Sequence, residues 1–175
     1  IFRSLAFITS SGKTITITHN GFLAIGREFT LGIPNSLLLM VLVFVVVGYI
    51  LSQTSFGRRL YAIGSNKYAS YLSGINITRS KYALFTLAGI FSAFAGVLMA
   101  SQTGAGLPQA ANGMEMNVIA GVILGGVSLS GGKGNMIGTF LGVFLLAMIQ
   151  NGMVLLNIQS YYQLLVKGVI LVIAV

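Results

Sequence analysis

The sequence predicts an all-α polytopic membrane protein with about four to five transmembrane helices, one of them short or broken. Hydrophobic residues make up 55% of the 175 residues and charged residues only 7%, against about 25% charged residues in a typical soluble domain. The apolar residues are gathered in long uncharged runs, and the basic residues lie between those runs. The net charge of +8 is therefore explained by membrane topology and indicates no nucleic-acid partner.

Four apolar segments account for the predicted spans. Residues 33–53 reach the length of about 20 residues that a membrane helix needs, and residues 82–102 and 136–156 do so as well. Residues 161–175 begin a fourth span, and residues 1–8 are typical of the tail of a helix that starts earlier. Because the chain begins without Met and stops inside an apolar run, we expect a fragment of a longer protein, forming one transmembrane domain over residues 1–175.

A shorter apolar segment lies between the second and third spans. Residues 117–129 are thirteen residues long, roughly 20 Å of helix, whereas the hydrocarbon core is about 30 Å thick. The segment is either a re-entrant half-helix or a full span whose outer turn includes the polar Asn112 and Glu115. In both cases the chain turns back at residues 128–135, SLSGGKGN, which we call the glycine-rich turn.

The glycine-rich turn is one residue from the pentapeptide that marks ABC-type ATPases, but it predicts no nucleotide site. It precedes residues 136–156, which carry no charge, whereas a phosphate-binding helix opens toward water. The P-loop spacing fails too, because Val127 stands at the first glycine position and Gly134 where Ser or Thr is required. Gly131, Gly132 and Gly134 instead suit a tight turn with positive φ angles.

Other catalytic and metal chemistry is also not predicted. The sequence contains no Cys and one His, which excludes a disulfide framework, a thiolate metal site and a His-rich cluster. It also lacks the HExxH and GxSxG arrangements of hydrolases.

The distribution of basic residues predicts the orientation. Cytoplasmic loops retain positive charge, and residues 54–81 carry five basic residues and no acid. Residues 9–35 carry two basic residues and one acid, and residues 103–116 carry one acid and no basic residue. We therefore expect residues 54–81, the glycine-rich turn and the C-terminal end to face the cytoplasm. The five basic residues are Arg58, Arg59, Lys67, Arg79 and Lys81.

Small residues recur at every fourth position in the predicted helices, where they let helix backbones approach closely in lipid. The three ridges are Ala88, Ser92, Gly96 and Ala100; Gly134, Gly138 and Gly142; and Gly121 and Gly125. We expect most of these glycines to serve packing.

Residues 54–81 contain a predicted two-turn helix that starts at Ser65 or Asn66 as N-cap and stops at Gly74. Its apolar stripe would suit the groove of a partner protein; a helix lying on anionic headgroups is the alternative. The stripe consists of Tyr68, Tyr71, Leu72 and Ile75.

Three ordered blocks of the chain resemble the ribose-type, or simple-sugar, permease subunits of bacterial ABC importers. They are GRRLYAIGSNKYASYLSGI at residues 57–75, MEMNVIAGVILGGVSLSGGKGNMIGTFLG at 114–142, and QNGMVLL with SYYQLLVKG within 150–168. The resemblance identifies residues 54–81 as that family's cytoplasmic coupling loop. Where the family commonly has Glu-Ala-Ala, this chain has Lys67, Tyr68 and Ala69, so only Ala69 and Gly74 carry over directly.

The resemblance implies the C-terminal half of a multi-pass permease of the bacterial inner membrane that passes a monosaccharide or similar solute by alternating access. It implies a second permease subunit, identical or different, a periplasmic or lipoprotein sugar-binding protein, and ABC ATPase subunits that hydrolyse ATP. This chain would bind no cofactor. The expected ATPase-coupling residues are Arg58, Arg59, Asn66, Ala69, Tyr71, Leu72 and Gly74.

Polar residues at the predicted outer side are candidates for the translocation path, because sugar hydroxyls need amide and carboxylate partners. An unwound backbone at Gly125 and Gly126 could supply further hydrogen-bonding groups. For Glu115 we favour a solvated loop position. Two other functions stay open: an ion-coupled transporter or channel, which the scarcity of intramembrane ionisable groups disfavours, and a non-transporting scaffold subunit. The path candidates are Gln102, Asn112, Glu115, Asn117, Gly125 and Gly126.

Overall fold

The computed structural model describes residues 2–30 and 32–174, and within these ranges the fold is helical as predicted. Four strands of two residues each form two small antiparallel pairs, β1 with β4 and β2 with β3. The helices are α1 (Phe2–Ser10), α2 (Asn20–Arg27), α3 (Asn35–Gln53), α4 (Ser55–Ser65), α5 (Lys67–Leu72), α6 (Ile77–Thr103), α7 (Met114–Leu124), α8 (Met136–Leu155) and α9 (Ser160–Ala174). The strands are β1 (Ile15–Thr16), β2 (Phe29–Thr30), β3 (Ile33–Pro34) and β4 (Ala105–Gly106).

Three of the helices, α3, α6 and α8, are long and apolar enough to cross a membrane, and α7 and α9 are shorter apolar helices. This agrees with the predicted four to five membrane helices. Among the three long helices, the largest difference in bounds is in α6, which starts at Ile77 rather than at residue 82. Its 27 residues extend over about 40 Å, so part of the helix lies beyond a hydrocarbon core of about 30 Å.

The short helix α7 ends earlier than predicted. It stops at Leu124 rather than continuing to residue 129, because Gly125 caps it and Gly126 takes a left-handed φ of 82°. It begins at Met114 and so includes Glu115 but not Asn112. Eleven residues correspond to about 16 Å, which is half the thickness of the hydrocarbon core. This length favours the half-helix.

The chain divides into two compact units, Ile1–Ile50 with Thr78–Ala110, and Leu51–Ile77 with Ala111–Val175. In the second unit α7 packs against α8 and α9. A Cβ atom added at Gly125 would lie 2.7 Å from the Gly138 carbonyl carbon, and one added at Gly142 would lie 2.7 Å from the Gly125 Cα. The predicted glycine ridges of α7 and α8 therefore pack backbone against backbone.

The ridge of α6 behaves differently. An added Cβ at Gly96, its only glycine, would meet nothing within 4 Å in the described part of the chain, and the same holds at Gly89, next to the ridge residue Ala88. The described part of the chain contains few buried apolar residues, namely Ala120, Ile123, Leu146 and Met153. None of the residues of α3 is buried. So much exposed apolar surface requires lipid or another membrane chain around it.

In the first unit, Ser101 joins α2 to the end of α6. It is fully buried, and its hydroxyl accepts a hydrogen bond from the Gly26 N–H at 2.8 Å and donates one to the Phe22 carbonyl at 2.7 Å. Arg27 adds a bond from its Nε to the Gln102 carbonyl at 2.9 Å. The helix α2, which precedes α3 in the chain, is thus fixed to the end of α6 by specific polar contacts. No sequence pattern predicted these contacts.

Replacing Ser101 by Ala should lower the free energy of unfolding by about 1–3 kcal/mol, because the buried Gly26 N–H loses its partner. Thermal unfolding of the purified protein in detergent measures the change. Ser10→Ala is the matched control, since the Ser10 hydroxyl makes an exposed hydrogen bond to the Ala6 carbonyl of its own helix. Equal stability of the two variants would contradict the role of Ser101.

Candidate functional site

The predicted coupling loop, residues 54–81, begins with a helix, α4, that is not among the predicted helices. Thr54 caps it by accepting a hydrogen bond from the Gly57 N–H at 3.3 Å. Gly57 is buried, and an added Cβ there would lie 2.6 Å from the Leu51 Cα. Only glycine therefore lets α4 fold back directly against the end of α3. The signal was present in the sequence, since Phe56, Leu60 and Ile63 recur at helical spacing and are half-buried.

The predicted two-turn helix is confirmed as α5. Asn66 is its N-cap, and the Asn66 side chain accepts a hydrogen bond from the Ala69 N–H at 2.9 Å. Gly74 stops the helix with a φ of 78°, and its N–H donates to the Tyr71 carbonyl at 3.0 Å. Asn66 is also the C-cap of α4, so α4 and α5 are joined through one residue without a flexible linker.

The exposed face of α5 is apolar. Tyr68 is 73% exposed, and Tyr71 and Leu72 are each 67% exposed, whereas Ile75 is half-buried. On the opposite face Ser70 is buried against the chain and donates to the Asn66 carbonyl at 2.9 Å. Basic side chains are exposed along the same loop, at Arg58, Arg59 and Lys67. This surface offers an apolar stripe with positive charge beside it, which is suited to a protein groove with an acidic rim.

The glycine-rich turn has the backbone conformation that the sequence predicted. Gly131, Gly132 and Gly134 have φ angles of 88°, 76° and 153°, which L side chains rarely adopt. The turn is closed by a hydrogen bond from the Ser128 N–H to the Lys133 carbonyl at 3.1 Å.

The structure brings α4 and the glycine-rich turn together within the second unit. The Tyr61 hydroxyl donates a hydrogen bond to the Gly134 carbonyl at 3.0 Å. An added Cβ at Gly64 would lie 3.0 Å from the Gly132 Cα, and one at Gly132 would lie 2.7 Å from the Ser65 Cα. The distribution of basic residues predicts both segments on one side of the membrane, but no sequence pattern singles out Tyr61 or Gly64.

The predicted path residues are distributed over both units. Gln102 is exposed on the last turn of α6 in the first unit, and Asn112, Glu115 and Asn117 belong to the second. Glu115 is exposed in the first turn of α7, and Asn117 is half-buried one turn in. A common cluster of these four side chains stays a prediction.

The two glycines after α7 are less suited to contact a solute than expected. The Gly125 N–H donates to the Gly121 carbonyl at 3.0 Å, and the Gly126 N–H donates to the Ile123 carbonyl at 2.8 Å. Neither amide group is therefore left for a sugar. Gly125 packs against α8, whereas Gly126 is exposed with open space beside it. Their place on a translocation path stays a prediction.

Comparison with known proteins agrees with the resemblance found in the sequence. Residues 2–175 match the family model described as "Branched-chain amino acid transport system / permease component". The ribose import permease protein of Bacillus subtilis (strain 168) is 45% identical over 177 residues, covering 100% of this chain and 55% of the relative. The L-arabinose ABC transporter permease protein of Azospirillum brasilense is 39% identical over 175 residues, covering 100% and 52%.

A third relative is the ribose import permease protein of Escherichia coli (strain K12), which is 37% identical over 181 residues, covering 100% of this chain and 56% of the relative. The chain thus spans about half the length of the curated relatives it matches. No solved structure matches it. The family model extends over both candidate segments, the coupling loop and the glycine-rich turn, and the chain belongs to this family of membrane permease components.

Proposed function

We propose that the chain is part of the membrane-spanning permease subunit of an ABC importer in the bacterial inner membrane. The subunit would pass a monosaccharide or a similar small polar solute by alternating access and would perform no covalent chemistry. The observation that carries the proposal is the similarity to permeases named for ribose and L-arabinose along the whole chain. The three long apolar helices support a membrane-spanning role.

The coupling loop is the proposed attachment point of the ABC ATPase, which would bind and hydrolyse the ATP. The exposed side chains of Tyr68, Tyr71 and Leu72 leave a large apolar surface on a helix outside the long apolar segments. Such a surface is suited to burial in a partner's groove. This assignment requires the coupling loop, the glycine-rich turn and the C-terminal end to face the cytoplasm, in agreement with the excess of basic residues in the loop.

The remaining proposed partners follow from the same importer architecture. A sugar-binding protein, periplasmic or lipid-anchored, would deliver the solute to the outer side. A second permease subunit, identical or different, would complete the passage, and lipid would cover the remaining apolar surface. The residues proposed for the path are Gln102, Asn112, Glu115 and Asn117 near the outer side, and Gly126 beyond the end of α7, with Gly125 supporting that end.

An ion-coupled transporter is less consistent with the sequence. Coupling to protons or cations usually requires ionisable groups inside the bundle. The segments that form α3 and α8 contain no Asp, Glu, Lys, Arg or His, and α7 contains only Glu115, in its first turn. The basic residues of α6 lie in its first two turns, and α9 contains a single one, Lys167, and no acid that could pair with it. An external energy source, supplied through a docking surface, is the simpler explanation.

Uptake of radiolabelled ribose or L-arabinose into proteoliposomes tests the proposal. The full-length permease should take up sugar only when its ATPase, ATP and a sugar-binding protein are all present. Omitting any one of them should reduce uptake to the level of empty liposomes. Uptake driven by a proton or sodium gradient without the ATPase would contradict the proposal and favour the ion-coupled class.

A further inference from the structure

The contact between α4 and the glycine-rich turn is made by backbone atoms. An added Cβ at Gly131 would lie 3.2 Å from the Gly64 Cα, and one at Gly64 would lie 3.2 Å from the Gly131 carbonyl carbon. At Gly132 the nearest atoms all belong to Ser65: its side-chain Oγ, and its N and Cα, both at 2.7 Å. At Gly64 and Gly131 the nearest atoms are all backbone atoms, so no change of rotamer can absorb a relative displacement between these two glycines.

A hydrogen bond one turn earlier in α4 makes a second attachment. Tyr61 and Gly64 are three residues apart, so they lie on the same face of the helix. The half-buried Tyr61 hydroxyl donates to the Gly134 carbonyl at 3.0 Å. Together the glycine contact and this bond hold the turn at both ends of its SGGKG segment. We call them the α4 latch, made by Tyr61, Gly64 and Ser65 on α4 and by Gly131, Gly132 and Gly134 in the turn.

Both sides of the α4 latch continue into further close contacts. On one side, α4 continues into α5 through the shared cap Asn66. On the other side, the turn is braced by the bond between Ser128 and Lys133, and the Asn135 side chain caps α8 by accepting from the Gly138 N–H. Beyond it, α7 and α8 pack through their glycine backbones. A displacement of α5 therefore has a continuous path of close contacts into the α7–α8 hairpin.

We propose that the α4 latch is the route by which movement of the coupling loop reaches the membrane helices, with Tyr61 and Gly64 as positioning residues that link α4 to the α7–α8 hairpin. The inference rests on the proposed importer function, since it requires an ATPase that moves α5. In this proposal the glycine-rich turn transmits movement during transport, in addition to reversing the direction of the chain. Neither residue touches the solute.

The test compares transport with ATP hydrolysis in the reconstituted full-length importer. Tyr61→Phe removes only the hydroxyl, and Gly64→Ala forces the turn away from α4. We expect both variants to co-purify with the ATPase and to hydrolyse ATP at the wild-type rate. The amount of sugar imported per ATP hydrolysed should fall about fivefold in Tyr61→Phe, which is the factor that corresponds to the net free energy of one ordinary hydrogen bond. It should fall further in Gly64→Ala.

Two matched controls carry the same chemical changes outside the α4 latch. Tyr82→Phe alters a 72% exposed tyrosine of α6, and Gly89→Ala adds a methyl group where nothing lies within 4 Å. Both should keep the wild-type ratio of sugar to ATP. If Tyr61→Phe also keeps that ratio, or if it releases the ATPase, the inference is wrong, whatever the folding of Gly64→Ala. Failure of the wild-type protein to show ATP-dependent uptake would instead overturn the proposed function.

Discussion

Replacing Leu72 by Asp should release the ATPase from the permease and abolish ATP-dependent uptake. Leu72 is 67% exposed at the centre of the apolar stripe of α5, so the substitution removes no contact of the permease core. In the proposed complex the same side chain is buried in the partner's groove. An unpaired carboxylate there costs several kcal/mol, and about 3 kcal/mol already weakens an affinity by more than a hundredfold. Co-purification of the ATPase with the tagged permease measures the effect.

Two measurements separate loss of docking from loss of folding. The amount of Leu72→Asp permease in the membrane fraction should equal that of the wild type, because the altered side chain is exposed. Leu72→Met keeps the volume and apolar character of the side chain and should retain the ATPase. Wild-type recovery of the ATPase with Leu72→Asp would remove α5 from the docking surface and leave the membrane-surface interpretation of this helix.

The spacing of apolar residues and the residues that start or stop helices predicted these helices, because both signals are local in the sequence. The apolar run of residues 33–53 and the Asn66 and Gly74 caps each specify a helix through neighbouring residues alone, and α3 and α5 match them closely. The predicted segment of residues 117–129 extends past the end of α7, because the apolar run continues through Gly125 and Gly126. Their effect depends on α8, whose backbone approaches Gly125 so closely that a Cβ would not fit.

The contacts of the candidate site were not predictable in the same way. Tyr61 and Gly134 are separated by 73 residues, and nothing local to either residue specifies the partner. Ser101 illustrates the same limit, since a serine at the end of an apolar helix is compatible with exposure to water. Its burial depends on α2, which is 75 residues away at Gly26. Charge distribution put the coupling loop and the glycine-rich turn on the same side, but only the fold shows which residues meet.

Gly142 is the position in α8 where we expect an added methyl group to destabilise the fold most. It is buried, and the atoms that a Cβ would meet are the Gly121 carbonyl oxygen and the backbone N and Cα of Gly125. Backbone atoms of a packed helix cannot rotate away, so α7 and α8 must separate. Overpacking of this kind typically costs about 1–3 kcal/mol. It also opposes the gain of up to about 1 kcal/mol that Gly→Ala gives in a helix.

Gly152, in the same helix, provides the control for the sign of the change in the free energy of unfolding. An added Cβ there meets no atom of the described residues within 4 Å, so Gly152→Ala should leave the stability unchanged or raise it slightly, whereas Gly142→Ala should lower it. Thermal unfolding of both variants in detergent compares them directly. Because the substitution is identical, opposite signs can arise only from the different surroundings of the two residues. Equal stability of the two variants would mean that the close packing of α7 on α8 does not support the fold, and it would remove the rigid hairpin that the α4 latch needs.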